Sequence, residues 1–343
     1  MARPPVRLIL HAGSGKTGTS SIQATLRDAR HTLEAQGVWY LGLVLEHAPV
    51  QRHAWQKFGE TARLHALPHA EGADQLHGVL VATVALAIER RIHTLIWSSE
   101  SLFDRPDKAI EAMHRLDPAQ VDRHVVIYVR RHDAWASSAY LQWGIRHKTY
   151  RGRLLRFAHW AERRGVRFQP NIQRFTEAFP GKVTLRNFDH VRNAVADFLL
   201  ICRIDAQGVE EQRENITADD NELYLRALFN DQADEPQLPA AFNRSIGRRL
   251  KEDAAPEAFL QALLTGAAPH ADAIHADRLL VNQWLLASGC EPLHEQPALT
   301  HTVQIDRARL VLHLATLAMD QAVRLARLEA LRTARTAGTA ATT

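Results

Sequence analysis

The chain has 343 residues but only two cysteines, Cys202 and Cys290, and no CxxC pair. That excludes a disulfide framework, and two free thiols suit a reducing compartment. Long hydrophobic runs are also missing. The longest apolar stretch, Gly78 to Ile88, ends in Glu89-Arg90-Arg91 and falls short of the ~20 residues a membrane helix needs. It reads as a buried helix. Val6 to Leu10, behind Arg3-Pro4-Pro5, is too short for the apolar region of a signal peptide. The expectation is a cytoplasmic protein without a transmembrane segment.

Charge of one sign is not concentrated anywhere either. The net charge is +4, with Lys and Arg spread along the chain rather than gathered in a run. This suits an anionic small ligand and argues against nucleic-acid binding by charge. Nineteen histidines are present but no HExxH, and His65/His69 and His270/His275 have no neighbours of ligating type, so no metal site is expected. Without GxSxG there is no sign of an acyl-transfer triad. No internal repeat is visible. The 46% hydrophobic content is that of an ordinary globular protein.

What is present is an alternation of short apolar runs and helical patterns. Strands are expected at Val6–Leu10, Val38–Leu41, Thr94–Ser98, His124–Val129 and Val183–Arg186. Helices are expected at Thr19–Gln36, stopped by Gly37, at Gln75–Arg91 and from His132 to about Arg146. Loops and short helices should fill Glu46–Asp74. This order predicts an α/β three-layer sandwich around a parallel sheet, with right-handed crossovers. After about Asn215 the strand signals stop, and Pro236 and Pro239 mark a break. Asp306–Arg335 carries Leu310, Leu314, Leu317, Leu325, Leu328 and Leu331 on one stripe. That stripe suits packing on its own domain or an oligomer contact, such as a homodimer. The expected division is a core at 1–230, a helical extension packed on it at 231–335, and a flexible tail at 336–343.

The richest chemistry lies in His11-Ala12-Gly13-Ser14-Gly15-Lys16-Thr17-Gly18-Thr19-Ser20, between the first strand and first helix. Three glycines permit tight turns, Lys16 brings a cation, and the helix start brings free N–H groups and a positive dipole end. Thr17, Thr19 and Ser20 add hydroxyls. Such a loop holds a phosphate-like anion, and three versions compete. A Walker A loop fits at Gly15-Lys16-Thr17, but its first glycine would fall on Leu10. A nucleotide-dependent kinase would also place an acidic metal ligand at a strand end, where this chain has Ser98-Ser99-Glu100 and Arg130-Arg131. A dinucleotide fingerprint fits Gly13, Gly15 and Gly18, but the second strand ends Tyr40-Leu41-Gly42, with no carboxylate for a ribose. A loop for a 5′-phosphosulfate needs neither the first glycine nor a metal.

The pattern HxGxxKTGT[ST]S[IL]Q, completed by Gln23, resembles the loop of the bacterial sulfotransferase family that uses 3′-phosphoadenosine-5′-phosphosulfate (PAPS), relatives of the carbohydrate sulfotransferases. Glu34-Ala35-Gln36-Gly37-Val38-Trp39-Tyr40, Ser98-Ser99-Glu100 and Tyr128-Val129-Arg130-Arg131-His132-Asp133-Ala134-Trp135 with Ser138, Tyr140 and Gln142 resemble further elements of that family. So do Ala196-Asp197-Phe198-Leu199 and the stretch 215–230. Gly15 stands where the family often has Pro, and His132 where Pro or Gln is common.

The resemblance implies a P-loop kinase-like sulfotransferase fold and a PAPS site. That site is made of Gly13, Ser14, Gly15, Lys16, Thr17, Gly18, Thr19 and Ser20, with Arg130 and Ser138 on the 3′-phosphate. It implies sulfuryl transfer to an acceptor hydroxyl, on a carbohydrate or glycolipid, leaving 3′-phosphoadenosine-5′-phosphate (PAP). Lys16 would stabilise the leaving phosphate, and Glu100 or His53 would take the acceptor's proton. Each has a plainer reading: Glu100 as a structural carboxylate, His53 as a loop histidine, Arg130 as the partner of a local acid. Arg131 reads as a surface or gating residue, and Arg244–Lys251 as a solvated helix face. A nucleotide kinase and a non-catalytic PAP sensor remain the alternatives.

Overall fold

The computed structural model describes residues 4–212, 220–231, 233–236, 256–266, 271–295 and 302–340. The chain divides into two compact units that interleave in sequence. One comprises 1–135, 166–215 and 270–296, and the other 136–165, 216–269 and 297–343.

The first unit is built on five parallel strands: β1 (Val6–His11), β2 (Val38–Gly42), β3 (Thr94–Ser98), β4 (Val121–Val129) and β5 (Val183–Asn187). Their order is β2-β3-β1-β4-β5. β1 is thus central, and it is buried on both faces, which is why it reads as a near-continuous apolar run. The connection from β1 leads across β3 to β2, while that from β4 leads the other way to β5. Ligands of open α/β sheets bind at such a switch, beyond the carboxyl ends of the strands.

Helices cover both faces. On one, Ile22 and Leu26 of α1 (Thr19–Asp28), Leu33 of α2 (Arg30–Ala35) and Val195, Phe198 and Leu199 of α6 (Ala194–Cys202) pack on Ile9, Tyr40, Ile96, Val126 and Tyr128. These strand residues are spaced by two or lie at matching register, as one sheet face requires. α3 (His69–Glu89) packs on the sheet and on α4 (Asp107–His114); α5 (Gln169–Ala178) packs against α4. In α3 the buried residues Ala73, Leu76, Leu80, Thr83, Val84 and Ala87 recur at helical spacing, the buried helix expected from Gly78–Ile88.

The expected helix Thr19–Gln36 is broken at Ala29 into α1 and α2, and α3 begins six residues early, behind Pro68. Among the described residues, no helix is long and apolar enough to cross a membrane.

The division differs from a single boundary near 230. Residues of the helix Ala271–Ala287 and its C-terminal segment belong with the sheet, where they cover the β5 edge. Leu185 N donates to Ser288 Oγ at 3.0 Å, and Asn187 Nδ2 donates to the carbonyls of Glu291 and Pro292. A sheet edge presents unpaired backbone groups that must be satisfied. The sequence pattern shows a helix here but not which edge it closes.

In the second unit, helix Tyr140–Arg146 is π-helical. Tyr140 is buried against Phe157 and Trp160, with its hydroxyl donating to Leu155 O at 2.6 Å. Lys148, fully buried, donates to the carbonyls of Asn230 and Ala233 at the end of helix Asp220–Asp231. A cation suits a helix C-terminus. The long helix spans Arg307–Ala340. Its Leu310, Leu314 and Leu317 are half-buried, while Leu325 and Leu328 are exposed. Pro239 and the basic stretch 244–251 lie outside the described residues.

Candidate functional site

Strand register sets the site. His11 pairs with Ser98 on one side and Val126 on the other, so β1 and β3 end level while β4 continues to Val129. At about 3.3 Å per residue, Arg130 lies about 13 Å beyond His11 along the sheet. The loop after β1 lies in that step. Ala12 N donates to Val126 O at 3.0 Å and Ser14 N to Tyr128 O at 3.3 Å, extending the β1–β4 ladder into the loop. On the other side Ser99 N donates to His11 O at 3.0 Å. The Trp135 indole donates to Ser14 O at 3.0 Å. The Ser14 hydroxyl is directed inward, to Tyr128 O, so Ser14 serves the loop through its backbone and its anchor.

The turn itself needs unusual backbone. Gly15 (φ 67°) and Gly18 (φ 80°) are left-handed, and so is Lys16 (φ 57°). For a lysine that conformation costs about 1 kcal/mol. Glycine is required at position 18 for a second reason. A Cβ there would lie 2.9 Å from Ala194 Cβ and 3.0 Å from the Phe188 ring. Gly18 also precedes the first turn of α1, which has neither a capping side chain nor an acidic residue. Its positive dipole end therefore faces the loop with no acidic side chain of its own to offset it.

Beneath the loop three polar atoms have no hydrogen-bond partner among the described residues: His11 Nε2, Thr17 Oγ1 and Thr19 Oγ1, all buried. They surround one point. A Cβ on Gly13 would lie 3.2, 3.2 and 2.6 Å from them respectively. The His11 ring is fixed by Ser98 Oγ, 2.8 Å from Nδ1, by the edge of Tyr128 and by Phe198. Burial lowers its pKa to about 3, so the ring is neutral near neutral pH.

Glu100 follows β3 at the rim. Its side chain is exposed, yet the protein around its carboxyl desolvates it enough to raise the pKa, with Lys16 pulling it back down and Asp104 adding to the rise. Lys16 and Glu100 are thus within electrostatic reach of one another. This arrangement keeps a carboxyl partly protonated at higher pH than usual beside a cation.

Arg130 is held by a local acid. Its Nε donates to Asp189 Oδ1 at 3.2 Å, and its guanidinium lies over Phe188, 5.6 Å from the ring centre. Since Phe188 also abuts Gly18, one ring links the loop to Arg130. Asp189 additionally accepts from Arg131 N at 2.7 Å. Arg131, nearly buried, pairs with Asp133 at 3.1 Å, which is not the surface position expected for it. Ser138 is half-buried on helix His132–Ala139 and belongs to the second unit.

His53 keeps local company. Its ring stacks on Trp55 at 5.4 Å and 8°, and its N–H donates to Gln56 Oε1. Burial, and then Arg52, lower its pKa. Phe188, Asp189 and Trp135 were not singled out as site residues by sequence. For Phe188 and Asp189 the signal was only position, directly after β5, whereas Trp135 ended the Tyr128–Trp135 element that resembles the family's.

No family model and no curated protein matches the sequence. A solved structure of a sulfotransferase from Alicyclobacillus acidocaldarius is 16% identical, covers 71% of this chain and 100% of its own, and superposes with a TM-score of 0.37. At that identity and score the likeness is too slight to transfer any residue or ligand to this chain.

Proposed function

We propose that the chain is a sulfotransferase that takes a sulfuryl group from PAPS to an acceptor hydroxyl. The observation that supports this most is the loop after β1. It joins an uncapped helix start, the Lys16 side chain and two buried unpartnered hydroxyls at the switch point of the sheet. The residues fit a compact anion. The hydroxyls of Thr17 and Thr19 can donate, as can the backbone N–H groups of Gly15, Lys16 and Gly18. At Gly13 a Cβ would stand 2.6 Å from Thr19 Oγ1, so the loop closes there only over glycine. Arg130, farther out along β4, fits a second anionic group.

When bound, PAPS supplies a sulfuryl group carried on a phosphate leaving group. Lys16 holds positive charge where negative charge grows on the leaving oxygen. Glu100, with its raised pKa and its place beside Lys16, accepts the proton of an incoming hydroxyl. His53 is the second candidate for that proton. The acceptor is a hydroxyl compound, of carbohydrate or glycolipid type.

The test is thermal stabilisation by PAP, compared with ATP or GTP plus Mg²⁺ and with NAD. At a hundredfold excess over Kd, a ligand of the folded state adds about 2.7 kcal/mol. A rise with PAP alone is expected. A rise with ATP and Mg²⁺ and none with PAP would make the chain a kinase-like enzyme. PAP binding with no turnover on any sulfate acceptor, and no effect of changing Glu100 and His53, would make it a sensor.

A further inference from the structure

His11 has no part in the transfer as described, yet it closes the floor of the loop. Its Nε2 and the hydroxyls of Thr17 and Thr19 all lie within 3.2 Å of the point a Gly13 Cβ would occupy, so the three gather on one side of the Gly13 backbone. None has a partner among the described residues, so none bonds another. A buried polar atom left in that state keeps its full cost of desolvation. Proteins usually relieve such clusters with an internal water that makes about three hydrogen bonds.

The three groups are not equivalent. Hydroxyl hydrogens rotate freely, whereas the imidazole is locked by Ser98, Tyr128 and Phe198. The histidine therefore imposes its direction and the threonines follow.

We propose that His11 is a positioning residue of the anion loop, which through its Nε2 and one shared buried water sets the directions of the Thr17 and Thr19 hydroxyls. The proposal rests on the reading of this loop as the donor's anion site. Hydroxyls oriented in advance stabilise charge without reorganising when it arrives. Because burial keeps His11 neutral, with its pKa near 3, the orientation holds across the physiological range. Gly13 is then required because a Cβ would press on all three groups, not for its dihedral angles.

Two substitutions separate this role from simple packing. Nε2 is four bonds from Cα, as is the amide nitrogen of Gln; Nδ1 is three bonds away, as is the amide of Asn. His11→Gln keeps a polar group towards Gly13, while His11→Asn keeps only the contact with Ser98. The readout is the Kd for PAP by titration calorimetry, with melting temperatures measured alongside. The expected result is a loss of about tenfold or more for His11→Asn and within about threefold of wild type for His11→Gln. Equal losses, or a better Asn than Gln, overturn the proposal. Should wild type not bind PAP, the donor reading fails, and the ligand-free protein decides on the positioning role. A high-resolution crystal structure with a water within hydrogen-bond distance of His11 Nε2, Thr17 Oγ1 and Thr19 Oγ1 supports it. An empty space there, or a direct bond between two of these groups, overturns it. That measurement also decides the matter if either variant fails to fold.

Discussion

The Arg130 guanidinium is held by the Asp189 carboxylate, with Nε 3.2 Å from Oδ1. Both side chains are about a quarter exposed, so the pair is open to competition by an anion from solvent. A phosphate offers more acceptor oxygens than the carboxylate and meets the same fork.

Arg130→Ala is expected to weaken PAP binding by about tenfold or more, the worth of a charge-assisted hydrogen bond. Adenosine 5′-phosphosulfate, which lacks the 3′-phosphate, should lose about twofold or less. Equal losses measured by calorimetry for both ligands would sink the 3′-phosphate assignment. Asp189→Asn removes the competing charge and should tighten PAP by a few-fold. A marked loss instead would mean that Asp189 aims Arg130.

Lys16 stands at φ 57°, a conformation glycine adopts without penalty. Lys16→Gly is expected to melt no lower than wild type while turnover falls by about 10²–10³. Calorimetric melting beside a sulfate-transfer assay checks both parts. A clear drop in melting temperature would show that the lysine side chain holds the loop together.

Filling the space at Gly13 should be costly. The Cβ of Gly13→Ala would stand 2.6 Å from Thr19 Oγ1, and overpacking of this kind costs about 1–3 kcal/mol. PAP affinity should fall with stability. Chemical denaturation and PAP titration of the variant are the measurements, and unchanged values in both would mean that the loop floor yields easily.

The raised pKa of Glu100 has a definite sign. The folded state holds that proton to higher pH than the unfolded chain does. Its stabilising contribution is therefore present below the ordinary carboxylate range and is lost as pH rises through the raised value. Glu100→Gln should match wild-type stability in acid and gain relative to it towards neutral pH. If Glu100 is the base, the acid limb of the rate profile lies above the ordinary carboxylate range and disappears in Glu100→Gln but persists in His53→Asn. The reverse pattern transfers the role to His53.

His11 titrates in the opposite sense. Its folded pKa of about 3 lies below the ordinary histidine value of 6.5. The stability tied to its neutral form is complete above 6.5 and is lost as pH falls towards 3, by about 1.4 kcal/mol per pH unit at most. His11→Gln should lessen the slope of unfolding free energy against pH by up to one proton in that window. An unchanged slope would place the imidazole in contact with water.

The strands were largely legible because β1, β2 and β3 are short apolar runs buried on both faces, as with Thr94–Ser98, where expectation and structure coincide. The break at Ala29 was not, because nothing in Thr19–Gln36 opposes helix locally and α2 is turned by packing of Leu33 on the sheet. The loop was legible because glycine, lysine and hydroxyl spacing act within one turn of chain. Asp189 was not, since its meaning depends on β5 lying beside β4.

An α/β chain with an anion-suited loop after its first strand follows from hydrophobic period and turn chemistry, which are local properties. That His11 is neutral, that Arg130 is held by Asp189 and that the helix Ala271–Ala287 belongs with the sheet follow from the folded chain alone. Burial, pairing and edge coverage depend on residues distant in the chain, and no local pattern encodes which of them will meet.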